Sequence, residues 1–128
     1  MSAAVALANL DILESEKLVE NAARVGAHLQ AGLRSALGEH PNVGEIRGEG
    51  MIMAVEFVAD RPSREPFDPA AAVQKAVAAE AARLGLIVRP LPSAGAAVAL
   101  SPPLCLTEGD ADRIVEILAE AVATVMAR

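Results

Sequence analysis

The chain contains no tryptophan and no tyrosine, and only two phenylalanines among 128 residues. With aromatics at 2% and hydrophobic residues at 53%, its core has to be assembled from many small contacts, with helices packed closely on alanine and valine. Basic residues are also scarce: 11 Lys and Arg stand against 17 Asp and Glu, a net charge of −6. A face able to neutralise phosphates is therefore not expected, which argues against a nucleic-acid partner. The same charge favours solubility. There is one cysteine, Cys105, so no internal disulfide can form, and a reduced, cytoplasmic setting is the simplest expectation. Cys105 is expected to be a small buried apolar residue, since neither His28 nor His40 lies near it in sequence to activate a thiol. Nor do these three residues have a spacing that assembles a zinc site. No apolar run reaches the ~18 residues that a membrane span needs. The first eight residues are apolar but carry no basic residue, and they run into Asp11, Glu14 and Glu16, so no signal peptide is expected.

What is present suffices for one domain over residues 1–128, long enough to bury roughly two thirds of its unfolded surface. Ala3 to about Leu13 is alanine-rich and helical in propensity. Ser15 is a plausible N-cap for a second helix, in which Leu18, Ala22, Val25, Leu29, Leu33 and Leu37 form one apolar stripe. Gly38 suits the C-cap, and Pro41 bars continuation. Val43–Arg47 and Met51–Val58 read as strands around a Gly48-Glu49-Gly50 turn or bulge. Residues 60–69 hold three prolines and mixed charges and read as a surface loop. Ala70–Leu84 is a third helix, stopped by Gly85. Leu86–Val88 and Ala96–Leu100 are short strands. Thr107 with Asp110 three residues on predicts the capped start of a last helix, whose stripe includes Ile114, Leu118 and Val122. The predicted fold class is α+β: a small, mainly antiparallel sheet of three to four strands with helices packed on one face.

Arg89 is the candidate site residue. It leaves a predicted strand just before Pro90, where its guanidinium fork could bind a carboxylate bidentately. From the residues alone, a surface position or a structural ion pair is the ordinary reading of a lone arginine and stays open. Gly48-Glu49-Gly50 lacks a third glycine and a preceding strand–helix context, so a dinucleotide fingerprint is not indicated. The acidic run of Asp11, Glu14, Glu16 and Glu20 reads as a solvated helical face.

Several motifs share one order and spacing. They are Leu10-Asp11-Ile12-Leu13-Glu14, His40-Pro41, Arg47-Gly48-Glu49-Gly50, Gly85-Leu86-Ile87-Val88-Arg89-Pro90 and Ala99-Leu100-Ser101-Pro102-Pro103-Leu104. In that order the chain resembles the C-terminal small domain of class III, ω-amino acid:pyruvate type, pyridoxal-phosphate-dependent aminotransferases over nearly its whole length. Ala99 stands where the ornithine and acetylornithine branches carry an arginine, and the stretch between Arg89 and Ser101 is longer than is usual in the resembled branch.

The resemblance implies a parent enzyme that moves an amino group from an ω-amino acid or amine to a keto acid such as pyruvate. Pyridoxal 5'-phosphate would be its cofactor, and Arg89 would bind the substrate carboxylate. It places the phosphate site and the Schiff-base lysine in a large domain upstream of this stretch. Lys17 and Lys75 match no Schiff-base position. This chain alone is therefore expected to be inactive, with no catalytic residue of its own and no cofactor bound. The implied partners are that large domain and a second copy, through an exposed apolar face of Ala3, Val5, Leu7, Leu10, Pro102 and Pro103. The alternative is a free-standing α+β interaction or small-ligand-binding module.

Overall fold

In the computed structural model of the chain, residues 2–91 and 95–127 are described. Helix α1 spans Ser2–Ser15 and α2 Leu18–Leu37. Strands β1 (Val43–Glu49) and β2 (Ile52–Phe57) form a hairpin. A 3-10 turn at Pro69–Ala71 precedes α3 (Val73–Arg83). Then come β3 (Arg89–Leu91), β4 (Ala96–Leu100) and α4 (Glu108–Met126). All strand pairs are antiparallel, in the order β1-β2-β4-β3. The sheet is four-stranded, and α2, α3 and α4 pack on one face of it, as the α+β reading expected.

The helical stripes bury as their spacing requires. Val25, Leu29 and Leu33 of α2 are fully enclosed, as are Leu118 and Val122 of α4 and Val77 of α3. They meet Met53, Val55 and Phe57 of β2 and Val98 of β4, the alternate residues that face the helices. The two lone phenylalanines divide: Phe57 is buried in this core, and Phe67 packs at its margin.

Close packing also explains Gly26 in the middle of α2. A Cβ on Gly26 would lie 2.1 Å from the carbonyl oxygen of Gly50, so α2 rests directly on the hairpin turn. That turn is tighter than the Gly48-Glu49-Gly50 motif suggested. Gly48 and Glu49 stay in the ladder opposite Met53 and Ile52. Only Gly50 and Met51 connect the strands, with Gly50 at φ 55°, the positive first position that two-residue hairpins of the II′ kind need.

Local signals at helix ends succeed unevenly. Thr107 caps α4 as expected: its Oγ1 accepts from the Asp110 N–H at 3.1 Å, and its own N–H reaches the Asp110 carboxylate at 3.4 Å. The end of α3 is closed by Gly85 at φ 96°. Its N–H donates to Ala82 O, and Leu86 N–H donates to Ala81 O. That pair of bonds is the Schellman arrangement.

Three boundaries differ from the sequence reading. Ser15 is not the N-cap of α2. It ends α1, and its hydroxyl donates to Ile12 O at 3.4 Å. Lys17, in the left-handed region at φ 53°, takes the N-cap position, so the chain turns within Glu16 and Lys17 without a side-chain cap. The helix expected from Ala70 begins at Val73, because Asp68 caps a 3-10 turn and Ala72 is left-handed. The strand expected at Leu86–Val88 lies at Arg89–Leu91. Leu86 is engaged in closing α3, and β4 offers its partners only to residues 89–91. Pro90 is accommodated because β3 is an edge strand.

Helix α1 packs against α2 and leaves Val5, Leu7 and Leu10 largely exposed, at 65%, 63% and 55%. Pro103 is exposed and Pro102 half-buried. Among the described residues no helix is long and apolar enough to cross a membrane.

Candidate substrate-binding cleft

The face of the sheet turned away from the helices carries a row of side chains across all four strands. Arg47 of β1 pairs with Ala54 of β2, Ala54 with Ala99 of β4, and Ala99 with Arg89 of β3. Two alanines thus separate two arginines placed on opposite edge strands. Three inter-strand steps put their backbones roughly 14 Å apart.

The two arginines live in different electrostatic settings. Arg47 Nη1 donates to Glu45 Oε2 and to Glu56 Oε2, each at 2.8 Å. Glu45 and Glu56 face each other directly across the β1–β2 ladder, a like-charge pairing that is unfavourable by itself. Arg47 bridges them, and Glu56 first, then Glu45, raise its guanidinium above its ordinary pKa. Arg89 is exposed and, among the described residues, forms no ion pair.

Arg89 instead borders a cleft of ≈ 540 Å³ where β3 and β4 meet the segment that leads into α4. Arg89 and Pro90 line it together with Ser101, Pro102 and Pro103. Ala99, Leu106 and Ile114 also contribute to its lining. The lining is mostly apolar, with one cation and one hydroxyl. Such a site suits a small molecule with an anionic end and an apolar remainder.

The structure therefore brings together two motifs that are twelve residues apart in sequence, the Arg89-Pro90 step and the Ser101-Pro102-Pro103 step. It leaves out Arg47-Gly48-Glu49-Gly50, which serves the hairpin. Pro92, Ser93 and Ala94 of the longer connecting stretch lie outside the described residues.

Cys105 is a correction. It was expected to be buried, and it is exposed. The apolar position in this stretch belongs to Leu106, at 9% exposure, and Cys105 points the other way on irregular backbone. His28 is exposed and pairs with Asp112 at 2.7 Å. His40 accepts the Asn42 N–H on Nδ1 at 3.1 Å. Among the described residues, no three of His, Cys, Asp and Glu converge as a metal site.

Sequence reasoning missed Asn21 and Arg24. Asn21 Nδ2 donates to the carbonyls of Leu104 and Leu106, beside the cleft. A faint signal existed, since asparagine is a poor choice early in a helix unless its side chain has a partner.

Lys17 and Lys75, the chain's only lysines, are both exposed, and neither borders the cleft. The residues present thus do not fit covalent attachment of pyridoxal phosphate, which needs a lysine in a desolvated or charge-tuned setting.

A small antiparallel sheet with helices on one face, and a cleft carrying one arginine at its end, defines the class as an α+β domain with a site at its margin. The comparisons narrow this to a family. Residues 1–122 match the family model for aminotransferase class-III. Diaminobutyrate–2-oxoglutarate transaminase of Halomonas elongata is 42% identical, over 90% of this chain and 24% of that protein. Taurine–pyruvate aminotransferase of Bilophila wadsworthia is 36% identical, over 95% of this chain and 27% of that protein. A transaminase structure from directed evolution by ancestral reconstruction superposes with a TM-score of 0.95 at 50% identity, covering 98% of this chain and 27% of that one. The chain belongs to the class III aminotransferases. It spans about a quarter of the length of the curated relatives it matches.

Proposed function

We propose that this chain is the C-terminal small domain of a class III aminotransferase that moves an amino group from an ω-amino acid or amine to a keto acid such as pyruvate. In that enzyme Arg89 holds the substrate carboxylate. The observation that carries the reading is the contrast on the sheet: Arg47 is paired with two carboxylates, whereas Arg89 has no anionic partner among the described residues and borders a mostly apolar cleft. A guanidinium in a partly apolar site binds a carboxylate more strongly than one in open water.

The cofactor chemistry, transfer of the amino group through pyridoxal phosphate, belongs to the rest of such an enzyme, because neither lysine here meets the site. The chain by itself is then inactive. The exposed apolar residues of α1 are read as surface that packs against the remainder of the enzyme or against a second copy.

The reading is tested by measuring the two half-reactions of an Arg89→Ala variant in the full-length aminotransferase that carries this domain. A loss confined to carboxylate-bearing substrates supports it. Equal losses for a carboxylate and for a plain amine remove Arg89 from the site. A free-standing binding module without catalysis is the competing account. It predicts that no pyridoxal phosphate-dependent activity appears in any assembly containing this chain.

A further inference from the structure

Ser101, Pro102 and Pro103 give the cleft a wall of irregular backbone, and the segment that continues from it is bonded by a side chain of another element. Between Leu100 and Thr107 the chain forms neither helix nor strand. Two of its residues are prolines, which have no N–H to donate. The middle of the segment is not pinned by burial, since Pro103, Leu104 and Cys105 are all exposed. Only Leu106 is anchored in the core. Its N–H donates to Pro103 O at 3.0 Å.

Asn21, in the first turn of α2, supplies the remaining restraint. Its Nδ2 donates to Leu104 O at 2.7 Å and to Leu106 O at 3.0 Å, across 83 and 85 residues of sequence. The chemistry fixes the orientation of this amide. Carbonyls only accept, so the nitrogen must face them, and the Arg24 guanidinium, which only donates, meets Asn21 Oδ1 at 2.9 Å. Arg24 is in turn paired with Glu108, at the head of α4. Both donors of one amide are thus committed to the segment that continues the wall, at Leu104 and Leu106. Its acceptor is committed to a cation anchored on the helix into which the wall leads.

We propose that Asn21 is a positioning residue for the cleft: it sets where the Ser101–Pro103 wall stands relative to Arg89, and so which apolar body fits beside a bound carboxylate. The inference rests on the reading of Arg89 given above, and the two fail in different ways. Arg89 touches the charged end of a ligand, while the wall touches its apolar body.

The experiment uses the 128-residue chain and two probes, acetate and 3-phenylpropionate. Binding is followed by NMR at Arg89 Nε and the Ser101 amide, and hydrogen exchange is read at the Leu106 amide. Asn21→Ala is expected to speed exchange at Leu106 and to weaken 3-phenylpropionate by about tenfold, as loss of two ordinary hydrogen bonds implies. Acetate affinity should not change. Asn21→Asp keeps the shape but sets carboxylate oxygens against two carbonyl oxygens. At neutral pH it should lose at least as much as Asn21→Ala, whereas a role in packing alone predicts little loss. Arg89→Ala should weaken both probes.

Unchanged exchange at Leu106 in both Asn21 variants overturns the positioning role, and so does an equal loss for the two probes. If Arg89→Ala leaves both probes unaffected, the carboxylate reading falls while the result for Asn21 stands on 3-phenylpropionate and exchange. If the unsubstituted chain binds neither probe, the carboxylate reading falls and exchange alone decides. If Asn21→Ala does not fold, Arg24→Ala takes its place. It frees the amide without removing it, so the same selectivity loss should appear in smaller measure, and its absence overturns the proposal.

Discussion

Arg47 and Arg89 occupy opposite ends of one row on one face of one sheet, yet their surroundings assign them different work. Arg47 lies among carboxylates that would repel each other without it, and its Nη1 is bonded to both of them. Arg89 lies on a short edge strand beside apolar residues and the double proline, with no carboxylate among its described neighbours. The difference shows that an arginine's role is set by what its strand neighbours leave unsatisfied, not by its type or its face. The helix-covered side of the same sheet provides the reference: there Val55, Val98 and Leu29 carry stability and nothing else.

The largest effect expected from breaking this contrast is on the covered side. Leu29→Ala should cost about 2–5 kcal/mol of folding stability, because the residue is fully enclosed and its removal leaves a cavity. A denaturant titration checks this, and an unchanged midpoint would mean that the α2 stripe does not face the core.

On the open face, Arg89→Ala should lower kcat/KM for carboxylate substrates by roughly 10–150-fold in the full-length enzyme, the worth of a charge-assisted contact. Its thermal midpoint should stay where it was, since no ion pair is lost. A fall in both would place Arg89 with Arg47 as a structural residue. Thr107→Ala should cost about 1 kcal/mol by uncapping α4, read as a shifted denaturant midpoint with unchanged slope.

The smallest stability effect is expected from Arg47→Ala. Its pairs are part-exposed and worth at most about 1 kcal/mol, and high salt should narrow the gap to the unsubstituted chain. A loss much larger than that would show Arg47 to be holding the hairpin. The apolar side chains of α1 add a test without mutation. Sedimentation of the chain at high concentration should show self-association, and a strictly monomeric species would count against that surface.

Much of the fold was legible because its signals are local. The spacing of Val25, Leu29 and Leu33 is a property of a few helical turns, and the Thr107–Asp110 cap closes within four residues. Other features failed to show for a physical reason. The strand placed at Leu86–Val88 moved to Arg89–Leu91 because a ladder is defined by its partner, and β4 lies opposite only the later residues. Cys105 is exposed because Leu106, one position on, takes the single buried place available. The need for glycine at position 26 comes from the Gly50 carbonyl against it, a contact that helical spacing does not encode.

The candidate site divides along the same line. The sequence by itself determined that the helices exist and which stripes they bury, the Thr107 cap and the order of motifs that marks the family, and it singled out Arg89. Only the tertiary structure decided that Arg89 shares a cleft with Ser101–Pro103, that Arg47 is paired with Glu45 and Glu56, and that Asn21 bonds the carbonyls of Leu104 and Leu106. Each of those facts follows from the strand order β1-β2-β4-β3 and from how α2 and α4 pack against each other. Those arrangements join residues as many as 85 apart, and no local pattern in the chain encodes which of them will meet.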